Sequence, residues 1–373
     1  MLRLPALFST VLLARVLISA AAPTHEPASS DEVHMSRRCT ATIRSAADIT
    51  SANLACSTIN IESFTMTAGK TLALSGLSNG ATVNLLGDIT FGFKNWAGPL
   101  FEISSNSGNF TFNGNGKTLN GQGVSYWDGK GLSAGVTKPD PMVVIGGGGI
   151  FKDVTVLNSP GRAVAVSNAA PMIISGVTID NSAGKSLGAN TDCFDVAGSD
   201  VTITGNTCKN QDDCLAVNYG SNIKFSSNFC TGGHGISIGS ISSGSTVSDV
   251  TISDNTVTDS FYGLRIKTDE GATDASVTNI VYLGNTVSGI TYQGVAILQD
   301  YKNGSPSGTA SNGVTLGPIT FSYGNSVSVD SQAQQVYVLC GELCTGAWDW
   351  SGLKTSGGAA GSSNYAKISG YNV

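Results

Sequence analysis

The chain has 373 residues, of which only 12% are charged and 47 are glycine. It is too apolar and too rich in β-formers for a disordered protein, and long enough for one large domain or two ordinary ones. A net charge of −6 without a basic stripe argues against a nucleic-acid binder.

The N-terminus, MLRLPALFSTVLLARVLISAAAP, places Arg3 before an apolar run that ends in the small residues Ser19 to Ala22. This order reads as a secretory signal over residues 1–22. Arg15 interrupts the run, and a membrane anchor needs about 20 unbroken apolar residues, so no membrane span is expected. Residues 23–38 are polar, contain proline and end on the dibasic pair Arg37-Arg38. They read as a pro-segment removed from a zymogen, leaving one domain over 39–373. Loss of residues 1–38 together removes four basic and three acidic residues, so the net charge moves from −6 to −7. It also removes His25 and His34, which leaves His234 as the one histidine of the mature chain.

All eight cysteines lie after the dibasic pair. An even number in an exported chain favours disulfides over metal or redox roles. Near neighbours suggest Cys39 with Cys56, Cys214 with Cys230 and Cys340 with Cys344, leaving Cys193 and Cys208 either paired or reduced. Asn109 (NFT) and Asn303 (NGS) are glycosylation sequons, the second weakened by Pro306. Between Cys39 and Cys56, Ile43, Ala46, Ala47 and Ile49 fall at near-helical spacing, which predicts a short capping helix.

From Asn158 onward, β-rich phrases ending in asparagine recur: DVTVLN, GVTIDN, DVTITGN, NIKFSSN, DVTISDN, NIVYLGN and ITFSYGN. Their asparagines are 23, 25, 22, 27, 30 and 40 residues apart. Such periods without helical segments predict an all-β solenoid, each rung holding several short strands. A sandwich would show a shorter hairpin rhythm. Asparagine suits the corners, because it tolerates left-handed backbone geometry and can bond the asparagine of the next rung. The lengthening intervals predict loops growing on one side.

The chemistry sits in CKNQDDCLAVNYG, residues 208–220. Asp192 lies 21 residues before Asp213, and His234 lies 21 after it. The apolar pairs Phe194/Val196, Leu215/Val217 and Ile236/Ile238 keep the same register. With rungs ~4.8 Å apart, the three polar side chains are expected to form a column on the outer wall. Strand alternation would turn them inward, so a bend is required before each strand; Gly235 permits one. In LRIKT, Arg265 and Lys267 alternate with inward Leu264 and Ile266, forming an anion site. Asp300 and Tyr301 fall near the same strand end. An isolated acid pair, RIK or histidine is usually structural. Stacked acids beside two cations, in a chain poor in charge, instead set carboxyl pKa values apart, as glycosidic hydrolysis needs.

Asn190-Thr191-Asp192, Gln211-Asp212-Asp213, Gly233-His234-Gly235 and Arg265-Ile266-Lys267, in that order, resemble the motifs of the polygalacturonases, most closely the secreted fungal endo-acting group. The resemblance covers essentially the whole mature chain. It implies a right-handed parallel β-helix hydrolysing α-1,4-galacturonan with inversion. It implies Asp212 as general acid, Asp192 and Asp213 as the pair that activates water, and His234 as support for the acid. It also implies Arg265 and Lys267 as binders of a galacturonate carboxylate, Tyr301 as a wall of the cleft, and Asn190 in positioning. Neither a metal nor another cofactor is implied. The implied partners are the pectin polymer and plant inhibitor proteins, and the implied state is a monomer. Three features depart from the family: the last cysteine pair is missing near the C-terminus, Cys193 and Cys208 are less usual, and Phe261-Tyr262 stand where smaller polar residues are common. Tyr126 and Trp127 offer rings either for sugar stacking or for packing. The alternatives are an exo-acting enzyme or a rhamnogalacturonan hydrolase, a pectin or pectate lyase, or a non-catalytic β-helix binder.

Overall fold

The computed structural model describes residues 37–372, apart from 106, 107 and 303. The signal segment and most of the pro-segment lie outside these residues, as does the Asn303 sequon. Arg37 and Arg38 already belong to the first strand, Arg37–Ile43.

Successive strands pair in parallel and return to the same three walls, giving a right-handed parallel β-helix. On the first wall Val143, Val164, Phe194, Leu215, Ile236, Leu264, Val295 and Val336 occupy one column. On the second, Phe112, Phe151, Ile174, Ile203, Phe225, Ile252, Tyr282 and Phe321 do the same. On the third the column is Val156, Ile179, Cys208, Cys230, Val257, Val287 and Val327. These side chains are buried and stack on their equivalents one rung away, which is why the strands read as β-branched or aromatic at every second position. Phe112 lies flat on Phe151 with centroids 4.5 Å apart, and Tyr282 on Phe321 at 4.6 Å.

The repeated asparagines form a buried ladder. Each side-chain amide donates to the oxygen of the next: Asn206 to Asn228 (2.9 Å), Asn228 to Asn255 (3.1 Å), Asn255 to Asn285 (3.0 Å) and Asn285 to Asn325 (2.9 Å). Backbone N–H groups donate to the same oxygens, so the corner is satisfied without water. The left-handed geometry expected of these asparagines falls on the residue before instead: Gly205, Ser227, Asp254, Gly284 and Gly324 carry the positive φ. Asn158 alone among the repeated asparagines is itself left-handed, at φ 52°. Asparagine is therefore used here mainly for its amide, and the turn is made by its neighbour.

Both ends are closed. At the N-terminal end the expected capping helix is shorter than the sequence suggests. Residues 37–43 are strand, followed by one 3₁₀ turn, Ala46–Asp48, and one α-turn, Ser51–Leu54, capped by the Thr50 side chain. At the other end Trp348 and Trp350 are fully buried, with Tyr365 packed on Trp348 at 4.3 Å between centroids. Four disulfides form: Cys39–Cys56, Cys193–Cys208, Cys214–Cys230 and Cys340–Cys344. The pairing of Cys193 with Cys208 resolves the alternative left by the sequence. Asn109 lies exposed at the start of the strand Asn109–Asn120.

Candidate active site

Asp192, Asp213 and His234 each stand two residues before a first-wall strand, at equivalent positions of three successive rungs. The bend that their outward orientation requires is present. The strands begin only at Phe194, Leu215 and Ile236, and Gly235 has φ 73°. The turns are held by backbone bonds from Cys193 N to Asp213 O (2.9 Å) and from Cys214 N to Gly235 O (2.8 Å). Asn210 fixes the double-aspartate loop from below, donating to the carbonyls of Thr191, Asp212 and Asp213.

Asp213 has no exposed surface, yet it lies outside the coil. Its Oδ1 accepts from Ser237 Oγ at 2.8 Å, and Ser237 points away from the interior between Ile236 and Ile238. Arg265 donates to the same oxygen, and Lys267 Nζ lies 2.8 Å from the other. Both cations are themselves buried. Tyr262 covers the guanidinium, with Cζ 4.1 Å from the ring centroid, and the Tyr301 ring lies 5.1 Å from Lys267 Nζ. Burial by itself pushes the Asp213 carboxyl up, but Arg265 and Lys267 together pull it below the ordinary aspartate value, so it stays charged.

Asp192 differs. Burial pushes its carboxyl well above the usual range, the charges of Asp212, Asp195 and Asp213 push the same way, and Lys267 opposes them only weakly. Asp212 is the more accessible acid, with 15% of its side chain exposed. Its Oδ1 accepts from the Asp213 backbone N–H at 2.9 Å and lies 3.0 Å from His234 Nδ1, while its Oδ2 accepts from Asn190 Nδ2 at 3.2 Å. Asn190 also accepts from Leu132 N at 3.0 Å, tying the long 121–142 loop to the acid. In that loop Tyr126 and Trp127 are buried. Tyr126 bonds the Lys94 backbone, and Trp127 Nε1 donates to Ser159 O, so both rings serve packing. Asp300 Oδ2 accepts from Gly308 N at 2.7 Å and braces its own loop.

Sequence reasoning passed over Asp195, Ser237 and Asn210. Asp195 shares the outward column of Ala216, Ser237 and Arg265, a position that alternation with the inward Phe194 and Val196 already marks. It is buried beside Arg162, 3.9 Å away, which is itself gripped by Asp140. Burial, opposed by Arg162, carries its carboxyl up to about 7.

Asp212, Asp213 and His234 bring donor atoms within 4.8 Å of one another, a spacing that suits a metal. Both oxygens of Asp213 already face fixed cations, however, which makes a poor setting for a third positive charge.

A pH dependence of stability follows. A carboxyl whose folded-state pKa is raised binds more protons folded than unfolded between the two values, so stability falls as pH rises through that window. For Asp195 the window runs from about 3.8 to about 7, and Asp192 acts in the same direction. Asp213, with its lowered pKa, contributes stability that is lost only as pH falls below the ordinary carboxyl range. The thermal midpoint is expected to be higher at pH 4.5 than at pH 7.5, and Asp195→Asn is expected to flatten the slope. A midpoint that rises towards neutral pH in both proteins contradicts this account.

A wall of parallel strands carrying carboxylates of unlike proton affinity defines the class: a β-helical protein with the groups for acid–base chemistry. Comparison with known proteins narrows this. Residues 56–372 match the model of glycosyl hydrolases family 28. An endo-polygalacturonase from Sclerotinia sclerotiorum is 43% identical over 315 residues, 82% of each chain. A probable endopolygalacturonase A from Aspergillus parasiticus is 41% identical over 341 residues, 88% of this chain and 91% of that one. Among solved structures, endopolygalacturonase I from Stereum purpureum, complexed with two galacturonates, superposes with a TM-score of 0.82 at 44% identity, covering 88% of this chain and 98% of that one. A polygalacturonase from Erwinia carotovora, 17% identical with a TM-score of 0.59 over 89% of this chain and 96% of that one, shares the fold. The chain belongs to glycosyl hydrolases family 28.

Proposed function

We propose that the chain is an endo-polygalacturonase that hydrolyses α-1,4-galacturonosyl linkages of pectin with inversion at the cut carbon. The observation that carries the reading is the unequal treatment of neighbouring carboxyls: Asp213 is paired with Arg265 and Lys267 and its pKa is lowered, whereas burial and the nearby acids raise the proton affinity of Asp192. The names of the relatives at 41–44% identity and the galacturonates bound to the Stereum protein support the substrate.

In this scheme Asp212, the most accessible of the three acids, gives its proton to the glycosidic oxygen as the bond to the anomeric carbon breaks. Water adds to that carbon, and its proton passes to ionised Asp192, with Asp213 fixing the water. The proton count closes on a definite product state, with Asp192 protonated and Asp212 anionic, its oxygens bonded by Asn190 and the Asp213 N–H. Burial of Asp192 favours its half of that state. One proton must then return from Asp192 to Asp212 before the next cycle. His234 holds Asp212 in place, and Asn190 couples it to the 121–142 loop. Arg265 and Lys267, two positive charges against one on Asp213, leave a net positive floor for a galacturonate carboxylate beside Tyr301.

The test is release of reducing ends from polygalacturonate without calcium, with products sized over time. A ladder of intermediate oligomers early in the reaction is expected. Monomers or dimers alone mean exo action, and an unsaturated, ultraviolet-absorbing product means a lyase.

The same reading extends to export: a signal at 1–22, zymogen cleavage near Arg38, glycosylation at Asn109 and Asn303, action as a secreted monomer, and recognition by plant inhibitor proteins.

A further inference from the structure

One feature of the groove has no part in the proposed reaction. Phe261 and Tyr292, 43% and 37% exposed, lie parallel with centroids 4.7 Å apart and planes 13° apart. Large apolar rings exposed side by side mark a contact surface more often than a solvated one. Their place in the coil is fixed. Phe261 N donates to Gly233 O at 2.8 Å, and Tyr262 pairs with Gln293, so Phe261 and Tyr292 continue the line of Asp212 and Gly233 along the axis. With rungs ~4.8 Å apart, Phe261 stands about 10 Å from Asp212 and Tyr292 one rung further. Gly233 is held to glycine because a Cβ there would run into the Asp212 carbonyl. The line therefore runs from the acid, past a bare rung, to an aromatic wall. The wall is continuous with the site: the His234 ring lies 5.8 Å from Phe261 and 6.2 Å from Tyr262.

The wall is also uncharged. Tyr262 packs edge-on against both rings and covers Arg265, which, like Lys267, is paired with Asp213 on the far side of that ring. The neighbouring side chains are Ser260, Thr291 and Gln293, the last bonded to Gln334. A free carboxylate brought against the two ring faces would lose water without meeting an unpaired lysine or arginine among the described neighbours, whereas a methyl ester loses little water and gains apolar contact.

We infer that Phe261 and Tyr292 form a specificity wall for a methyl-esterified galacturonate residue of the polymer, a few units from the bond cut. This rests on the polygalacturonase reading and adds to it a preference for partly esterified pectin at that position. The experiment compares kcat/KM on fully de-esterified polygalacturonate and on partly methyl-esterified pectin, for the wild type, Phe261→Tyr, Phe261→Lys and the double variant Phe261→Ser/Tyr292→Ser. The double variant is expected to lose activity on both substrates, with the ester-to-acid ratio falling about tenfold, equivalent to ~1.4 kcal/mol. Phe261→Lys is expected to move the ratio the same way by giving a free carboxylate a partner, and Phe261→Tyr to keep it. A ratio is independent of the fraction of protein folded, so partial misfolding does not blur the result. Equal losses on both substrates, an unchanged ratio in Phe261→Lys, or a wild type inactive on the esterified polymer would overturn the wall. A wild type inactive on de-esterified polygalacturonate would overturn the enzyme reading itself, which is a separate outcome.

Discussion

Asp212→Asn is expected to lower kcat by roughly 10²–10⁴-fold, the usual contribution of a general acid, while KM changes little. The amide matches the carboxyl in shape but has no acidic proton for the leaving oxygen. It also has one acceptor where the carboxylate has two. Whichever way the amide turns, either the Asp213 N–H or Asn190 Nδ2 faces an NH₂ group instead of an oxygen. The second effect is small beside the first, because Asp212 sits at the groove surface and water can take the lost bond. Steady-state kinetics on polygalacturonate, with binding of the inactive variant to the polymer as control, checks both parts. Retained turnover removes Asp212 from the acid role.

Asp213→Asn is expected to do harm of another kind. It removes the only carboxylate within reach of two buried cations among the described contacts of Arg265 and Lys267. Leaving one side of a buried ion pair uncompensated costs about 3–5 kcal/mol, so the denaturation midpoint should fall together with activity. A second substitution separates charge from shape: Lys267→Met, placed on top of Asp213→Asn, removes one stranded ammonium and should recover part of the lost stability. A double-mutant cycle reads this coupling directly. If Asp213→Asn is as stable as the wild type, the cations find other partners, and the pinned charge assigned to Asp213 is wrong.

These two residues are adjacent in sequence, and the sequence alone places them well. The 21-residue spacing of Asp192, Asp213 and His234 comes from a rung of constant length, and parallel stacking turns equal spacing into equal position. What spacing does not convey is how deep a side chain lies. Arg265 and Lys267 read as an anion site because alternation gives the direction of a side chain; it does not show that Asp213 already faces both cations. Arg162 was silent for another reason: its partner Asp140 lies in a loop 22 residues away, outside any repeat. The asparagine ladder was visible as a pattern, but its backbone rationale belonged to the preceding residue, where glycine, serine and aspartate all occupy the left-handed corner. The capping helix was overestimated because Ile43 and Ala41 are buried as strand residues against the first turn of the coil, and pairing with Cys56–Ile61 outweighs helical spacing.

Two disulfides begin at the residue after a groove aspartate: Cys193 follows Asp192, and Cys214 follows Asp213. Their other ends, Cys208 and Cys230, stack on each other in the third wall, and none of the four is more than 2% exposed. Thiols sealed in this way are shielded from oxidant in the folded coil, so the two bridges are expected to close while the rungs are still open. The separations of 15 and 16 residues make that possible, because each loop is local and needs no other rung to form. Covalent closure is expected first and stacking second, so that the catalytic geometry is inherited from an early event in the life of the chain. Material folded in a reducing compartment would miss that event, and oxidant supplied afterwards would arrive too late to repair it.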